Sequence, residues 1–426
     1  MRFLRKILFA LGLMILLAVL KPLFQRLFPL SNVFHYNLFS VLQMLLLLWA
    51  VLTGLLEMVF WKKLRPAASR SRSLLIFLLL VALAETSTRW LLFHPRHIPT
   101  GALPAFRLYY DNYQRDIVQF NKKMARYDPN LFYSLIPDNH SLFTNIEFSD
   151  SIITDPRGFR TGEQAPDHPA ILCLGDSYTF GWGAQQNDCY PQLLQNILHE
   201  QVLNTGVPSY GTARELASVK ALDKTGLSTM IIQYCYNDAG ENQACVDNHF
   251  QPVISSAAVY DSAVDMLWWS KIWFPGKYSC TVLKLLLDEK LGLRQKEGLD
   301  APDTPLGNTD KQAENFLAIL ARSGLDFRKT HIYVFAIGEY ETLSNHFLTS
   351  LEKKLASPEC SALFVQHVHT VHIENKLTKE DYFLLDGHIK ASGHKKLARC
   401  LADAIRTSQP GPPAISPSDT SFHSRY

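Results

Sequence analysis

The apolar positions of this chain follow two patterns. Up to residue 93 they run continuously. Residues 7–20, ILFALGLMILLAVL, carry no polar side chain, and Arg2, Arg5 and Lys6 precede them. That is short for a bilayer span of about 20 residues, and Leu23 and Phe24 extend it past Lys21. No small-residue cleavage site follows, which argues against a signal peptide. Residues 38–60 form a second run, charged only at Glu57 and long enough to span. A third begins at 74–84, LLIFLLLVALA, and reaches Phe93 by including Glu85 and Arg89. Four residues apart on a helix, these two face each other and are expected to pair. The competing reading of the third run is a buried soluble helix.

From residue 169 the apolar positions fall into short blocks. AILCLG (170–175) is bounded by turn residues, as a strand buried on both faces is. Pro191 opens a segment with Leu193, Leu194, Ile197 and Leu198 at helical spacing, its proline in the first turn. VLN (202–204), TMIIQYCY (229–236), HIYVFAIG (331–338) and TVHIEN (370–375) read as further strands. Residues 213–225 and Ala391 to Ile405 read as helices. This alternation predicts an α/β fold with a parallel sheet covered on both faces. Ligands of such sheets bind beyond the carboxyl ends of the strands. The expected organisation is a membrane region over 1–93 with about three transmembrane helices and a linker and edge region over 94–168. The main domain follows over 169–407, with an insertion at roughly 240–325. A Pro- and Ser-rich tail over 408–426 is expected to be disordered. No internal repeat is evident.

Charge orients the membrane region. The net charge is +3, but residues 1–72 hold ten Lys or Arg and one acid, so they carry +9 and the remainder −6. Five positive residues fall in 61–72, after the second run, which places that loop and the N-terminus in the cytoplasm. The third run then exits, and everything after about residue 94 is extracytoplasmic, at the periplasm or cell surface. A basic apolar head on a mildly acidic body fits a membrane partner and not nucleic acid.

The seven cysteines are Cys173, Cys189, Cys235, Cys245, Cys280, Cys360 and Cys400, and none forms a CxxC pair. That argues against a zinc ribbon or a dithiol redox motif. Cys173 lies in an apolar run and is expected to be a buried thiol. Outside the cytoplasm the others are candidates for disulfides.

Four polar motifs fall where such a sheet puts its site. Gly175-Asp176-Ser177-Tyr178-Thr179-Phe180-Gly181 follows the first strand, where backbone N–H groups can point at an anion. It is also ordinary turn chemistry. Asn204-Thr205-Gly206-Val207-Pro208-Ser209-Tyr210-Gly211-Thr212 follows the second strand, as a plain turn or as a donor of a backbone N–H to an oxyanion. Tyr236-Asn237-Asp238 ends the third strand, and its asparagine can cap a helix or offer an amide to an oxyanion. Asp386-Gly387-His388 precedes the last helix, followed by Gly393-His394. An acid two residues before a histidine can orient the imidazole to accept a proton from a serine. It can equally cap the helix.

In that order GDSYTFGWG, NTGVPSYGT, YCYND and DGHIKASGH resemble blocks I, II, III and V of the SGNH (GDSL-type) hydrolase family, over about residues 169–405. The resemblance implies a flavodoxin-like α/β/α sandwich, the SGNH hydrolase fold. It implies a Ser-His-Asp triad of Ser177 as nucleophile, His388 as base and Asp386 as orienting acid. Its oxyanion hole uses the Ser177 N–H, a block II N–H and the Asn237 side chain. Ser209 stands where the family usually has glycine, with Gly211 two residues further on, and either can donate. Cys235 or Tyr234 stands at the usual glycine of block III. Block V has one residue between Asp and His where two are usual.

The expected reaction is cleavage of an acyl or acetyl ester in a small molecule, lipid or glycan, with no metal or organic cofactor. O-acyl transfer to or from a cell-envelope polysaccharide would use the same residues. An inactive membrane scaffold is the non-enzymatic alternative. A metal site at His367, His369 and His372 lacks nearby cysteines or paired acids. Met266-Leu267-Trp268-Trp269 and Trp273-Phe274 in the insertion fit a core helix, a cap lining an acyl or sugar pocket, or a contact with the bilayer surface.

Overall fold

The computed structural model describes parts of residues 12–22, and residues 38–46, 48–52, 66–161, 166–293, 308–338, 346–358 and 367–408. The loop at 61–65, the tail after Ser408, Cys360 and parts of the first two apolar runs lie outside these residues. The chain is a mixed α/β protein built on a parallel sheet. Four short strands precede that sheet, β1 (Ala125–Asp128), β2 (Phe132–Leu135), β3 (His140–Thr144) and β4 (Ser149–Ile153). They pair as two antiparallel hairpins, β1 with β2 and β3 with β4.

The parallel sheet consists of β5 (Ile171–Leu174), β6 (Val202–Asn204), β7 (Thr229–Tyr234), β8 (His331–Ala336) and β9 (Val368–Thr370). Its order is β6-β5-β7-β8-β9, all parallel. Counted from the first of these strands this is 2-1-3-4-5, a doubly wound order whose switch point lies between the first and third strands. Ser177 follows the first and Asn237 the third.

Alternation along each strand supplies two cores. Leu172, Leu174, Met230, Ile232, Ile332 and Val334 pack one way, against Leu216, Phe316, Phe347 and Leu351. Ile171, Cys173, Ile231, Tyr333 and Phe335 pack the other way, against Leu194, Leu397 and Leu401. The first set of helical residues lies on Thr212–Ser218, Thr309–Arg322 and His346–Leu355, the second on Tyr190–Leu198 and Ala391–Ser408. Both sheet faces are therefore covered, which is why these strands read as continuous apolar runs.

The sequence reading places the last strand at 370–375, but pairing stops at Thr370 and β9 begins at Val368. Val371 and Ile373 stay buried beyond it, so the alternation survives as burial without a ladder. The helix expected over 213–225 is shorter, Thr212–Ser218, and the last helix runs on to Ser408.

Residues 94–161 are more ordered than an irregular linker. They form the helix Leu103–Tyr113 and the two hairpins. Strands of four or five residues with half-exposed faces give too little periodicity to read. This collar packs through Phe143, Tyr133 and Ile152 against Phe180, Trp182 and Val207 of the main domain.

The third apolar run is a helix from Pro66 to Phe93, and its segment Leu75–Phe93, 19 residues long, is long and apolar enough to cross a membrane. Leu79 is 60% and Leu83 63% exposed, so it is not a buried core helix. Glu85 does not pair with Arg89. Its Oε1 accepts from Tyr278 N (3.2 Å) and Trp273 Nε1 (3.2 Å), and its Oε2 from Ser279 N (2.9 Å) and Ser279 Oγ (2.8 Å). Gly276 leaves the N-terminus of the Lys277–Lys290 helix without a side-chain cap, and Glu85 supplies one from another helix. Arg89 instead lies over the Phe93 ring.

In the insertion, the helix Ala257–Lys271 leaves Trp268 61% exposed, and Trp273 beyond it is 56% exposed. Neither is a core residue. Phe274 is buried with Val41 and Cys280. Cys173, Cys189, Cys235, Cys245, Cys280 and Cys400 are all free thiols, so the disulfides considered above do not form among the described residues.

Candidate active site

The serine sits on a turn that the sequence makes tight. β5 ends at Leu174, and Gly175 follows at φ 154°. A Cβ there would lie 2.1 Å from Thr179 Oγ1, so only glycine fits. Asp176 then caps the single turn Ser177–Phe180, accepting from Tyr178 N at 3.0 Å. Its own N–H donates to Gln233 Oε1 on β7 (2.9 Å). Below the turn, the fully buried Arg160 donates to Phe180 O (3.1 Å), Gly181 O (2.6 Å) and Ala184 O (2.7 Å). The collar thus pins the chain that follows the serine.

The histidine arrives on the loop before the last helix. Gly387 at φ 80° lets Asp386 and His388 meet across one residue. His388 Nδ1 lies 2.5 Å from Asp386 Oδ1, and its Nε2 lies 2.8 Å from Ser177 Oγ. Ser177, Asp386 and His388 are therefore brought together as one chain of hydrogen bonds. Trp182 stacks on the imidazole, centroids 5.0 Å apart at 18°, and Tyr178 lies at 4.9 Å. Glu147, between β3 and β4, braces the loop from behind. It accepts from Leu384 N (2.8 Å), Leu385 N (2.7 Å) and Asp386 N (3.1 Å). Tyr110 donates its hydroxyl to Asp386 Oδ2 at 2.5 Å.

Burial raises the Asp386 carboxyl, but the His388 imidazole, Arg115 and the Tyr110 hydroxyl outweigh it and hold the group below the usual aspartate range. It therefore stays ionised and accepts from the imidazole. For Asp176 burial outweighs the Tyr178 N–H, the His388 imidazole and the Asn237 amide, and pushes the carboxyl up. His394 is fully buried, and burial, Arg160 and His388 take it down to about 3. Its Nδ1 accepts from Tyr190 N (3.3 Å), and its ring lies parallel to Tyr190. It is a neutral packing group away from the serine.

The oxyanion candidates separate. Asn237 stands at the N-cap of Asp238–Asp247 without capping it, and its Nδ2 reaches Asp176 Oδ2 at 3.2 Å. One amide hydrogen remains for another acceptor. The Gly211 N–H is taken by Glu241 Oε2 at 3.1 Å, which removes it as a donor. Thr205, Gly206, Val207 and Tyr210 also spend their N–H groups, on Cys173 O, Asn204 Oδ1, Gly175 O and Val207 O. Ser209 is left with an open N–H among the described residues. It adopts φ 61°, a left-handed conformation that favours glycine.

No family model matches the chain, and no curated protein matches it. Similar solved structures include a lipase from a goat rumen metagenome, at 12% identity and TM-score 0.30, covering 55% of this chain and 96% of that one. Another is a carbohydrate esterase family 2 enzyme with a carbohydrate binding domain from Corynascus thermopiles, at 14% identity and TM-score 0.33, covering 62% and 74%. At such values the fold rests on the strand order described above.

The histidines outside the site do not gather at it. His331 Nδ1 meets His369 Nε2 at 3.0 Å, and His372 lies between Glu352 (2.7 Å) and Glu374 (2.9 Å). Among the described residues no group of three or more His, Cys, Asp or Glu is arranged to hold a metal ion. Tyr110, Glu147 and Arg160 are the site residues that sequence reasoning missed. They lie far from the four motifs along the chain, and no spacing ties them to it. Trp182 directly follows the first motif and is recognisable there only as an aromatic.

Proposed function

We propose that this chain is a membrane-anchored serine hydrolase that cleaves an ester through Ser177, His388 and Asp386. The observation that carries the reading is the unbroken Ser177 Oγ–His388 Nε2 and His388 Nδ1–Asp386 Oδ1 chain, at 2.8 and 2.5 Å, at the switch point of a doubly wound sheet. Ser177 Oγ attacks the acyl carbonyl as His388 Nε2 takes its proton. The tetrahedral oxyanion is held by the Ser177 N–H, the Ser209 N–H and the Asn237 amide, each such donor worth about 3–4 kcal/mol in comparable enzymes. Collapse expels the alcohol, which leaves with the proton from His388. Water then attacks the acyl-enzyme, gives its proton to His388, and releases the acid as Ser177 recovers its hydrogen. Asp386 stays ionised throughout and stabilises the imidazolium.

Turnover of p-nitrophenyl acetate by the full chain in detergent tests the activity. Loss of turnover in Ser177→Ala and in His388→Ala supports it. Equal turnover in the wild type and both variants contradicts it.

The anchor belongs to the same proposal. An exposed apolar helix ends at Phe93, directly before the collar, and Trp268 and Trp273 stand exposed in the insertion that Glu85 grips. Tryptophans of that kind favour a membrane–water interface. The five positive residues in 61–72 support an extracytoplasmic catalytic part by the positive-inside rule. A C-terminal alkaline phosphatase fusion is then active in cells. An inactive fusion beside a fluorescent cytoplasmic counterpart reverses that orientation.

A further inference from the structure

We propose that Tyr110 is a positioning residue of the triad, holding the second oxygen of the Asp386 carboxylate so that the first stays aligned with His388. The inference rests on the Ser-His-Asp reading above. The torsion of an aspartate carboxylate is broad, so a single partner on one oxygen leaves it free to swing. Asp386 has a partner on each oxygen, His388 Nδ1 on Oδ1 and Tyr110 Oη on Oδ2, both at 2.5 Å. With the backbone held by Glu147 as well, the acid has one orientation left.

Tyr110 is itself fixed. It is fully buried in a cluster with Phe106, Tyr109, Tyr278 and Leu385. One turn earlier on the same helix, Arg107 Nε donates to Leu384 O at 2.8 Å. The helix Leu103–Tyr113 therefore grips the loop at two points, through residues three apart on one face. An ionised carboxylate only accepts, so the tyrosine must donate. Burial, then the charge of Asp386, holds the phenol proton in place far above neutral pH.

The competing role is packing alone. A phenylalanine fills the same space, so packing predicts that Tyr110→Phe is neutral. Alignment predicts a loss in kcat. The full chain in detergent, with p-nitrophenyl acetate as probe, separates the two. Tyr110→Phe is expected to lower kcat by about ten- to a hundredfold, the range of a hydrogen bond to a charged group, with KM within about twofold. In an Asp386→Ala background the same change is expected to do nothing further, because its target is gone. Phe106→Leu, which loosens the same cluster without touching Asp386, leaves kcat near the wild-type value.

Wild-type kcat in Tyr110→Phe overturns the proposal. So does an equal loss in both backgrounds, or an equal loss in Phe106→Leu. Labelling of wild-type Ser177 by a fluorophosphonate is read alongside. If Ser177 labels and Tyr110→Phe is fully active, only the role of Tyr110 falls. If Ser177 neither labels nor turns over ester, the triad reading falls and takes this one with it.

Discussion

The parallel sheet and the collar around it bury different things. Inside the sheet the strands carry Ile, Leu, Val, Met, Tyr and Phe, and the candidate site residues wait in the loops beyond the strands. The collar sends charged and polar side chains inward, where Arg160, Glu147 and Tyr110 each grip a different piece of the site. The sheet decides where the serine and histidine stand. The collar decides how well they are aligned. A parallel sheet with short strands fixes positions to within a loop's freedom, and a triad needs more than that.

The division predicts a graded series. The largest losses belong to the serine at the end of β5 and to the acid and histidine on the loop before the last helix. His388→Ala should reduce ester turnover by about a thousandfold or more, as for other members of a catalytic unit. His394→Ala, which empties a buried packing site, should keep most turnover per folded molecule, measured beside circular dichroism. The opposite pattern would move the base to His394 and break the comparison at its root.

Next come the clamps. Arg160→Ala takes a donor from the buried carbonyls of Phe180, Gly181 and Ala184. Gly181 O keeps Ala184 N at 3.1 Å and Phe180 O keeps Asn204 Nδ2 at 3.4 Å, while among the described residues Ala184 O retains only the distant Cys189 thiol. A buried carbonyl stripped of its donor costs about 1–3 kcal/mol, so denaturant unfolding should register a loss of at least that order. A variant as stable as the wild type would make the collar a mere cover.

Smaller again is Glu85→Ala. It removes the acceptor for Tyr278 N and Ser279 N and uncaps the Lys277–Lys290 helix, worth about 1–2 kcal/mol. Amide hydrogen exchange at the start of that helix should quicken while ester turnover holds. Unchanged exchange would mean that the insertion is fixed elsewhere.

The smallest effect has the opposite sign. Ser209 at φ 61° carries the strain of a non-glycine residue in the left-handed region, about 1 kcal/mol. Ser209→Gly relieves that strain but also frees the unfolded chain, and together these give a gain of a few tenths of a kcal/mol at most. Thermal unfolding checks this. A marked loss would show that the serine hydroxyl, which accepts from Gln119 Nε2 at 3.0 Å, matters more than the backbone.

The same division explains what was legible in the sequence. β5, β7 and β8 announced themselves because both faces are buried, so the runs are apolar apart from Thr229, Gln233 and His331. The serine was legible because turn residues at a strand end are where such folds put chemistry, and the acid and histidine because an Asp two residues before a His precedes the last helix. The collar was not, since its strands of four or five residues alternate over half-exposed faces. Tyr110 and Asp386 are 276 residues apart in sequence, and only the packed chain joins them. Glu85 misled for a related reason. A charge four residues from an arginine satisfies a local rule, yet a helix N-terminus from the insertion offered two N–H groups and a hydroxyl, a better partner than one exposed guanidinium.

The central claim is that Ser177 is a nucleophile activated by His388 and Asp386. Mass spectrometry of the full chain after reaction with a fluorophosphonate tests it most directly. The account predicts one phosphonyl adduct on the peptide bearing Ser177, absent from Ser177→Ala and strongly slowed in His388→Ala. An unmodified Ser177 in folded protein, or an adduct at another serine that persists in Ser177→Ala, would contradict it.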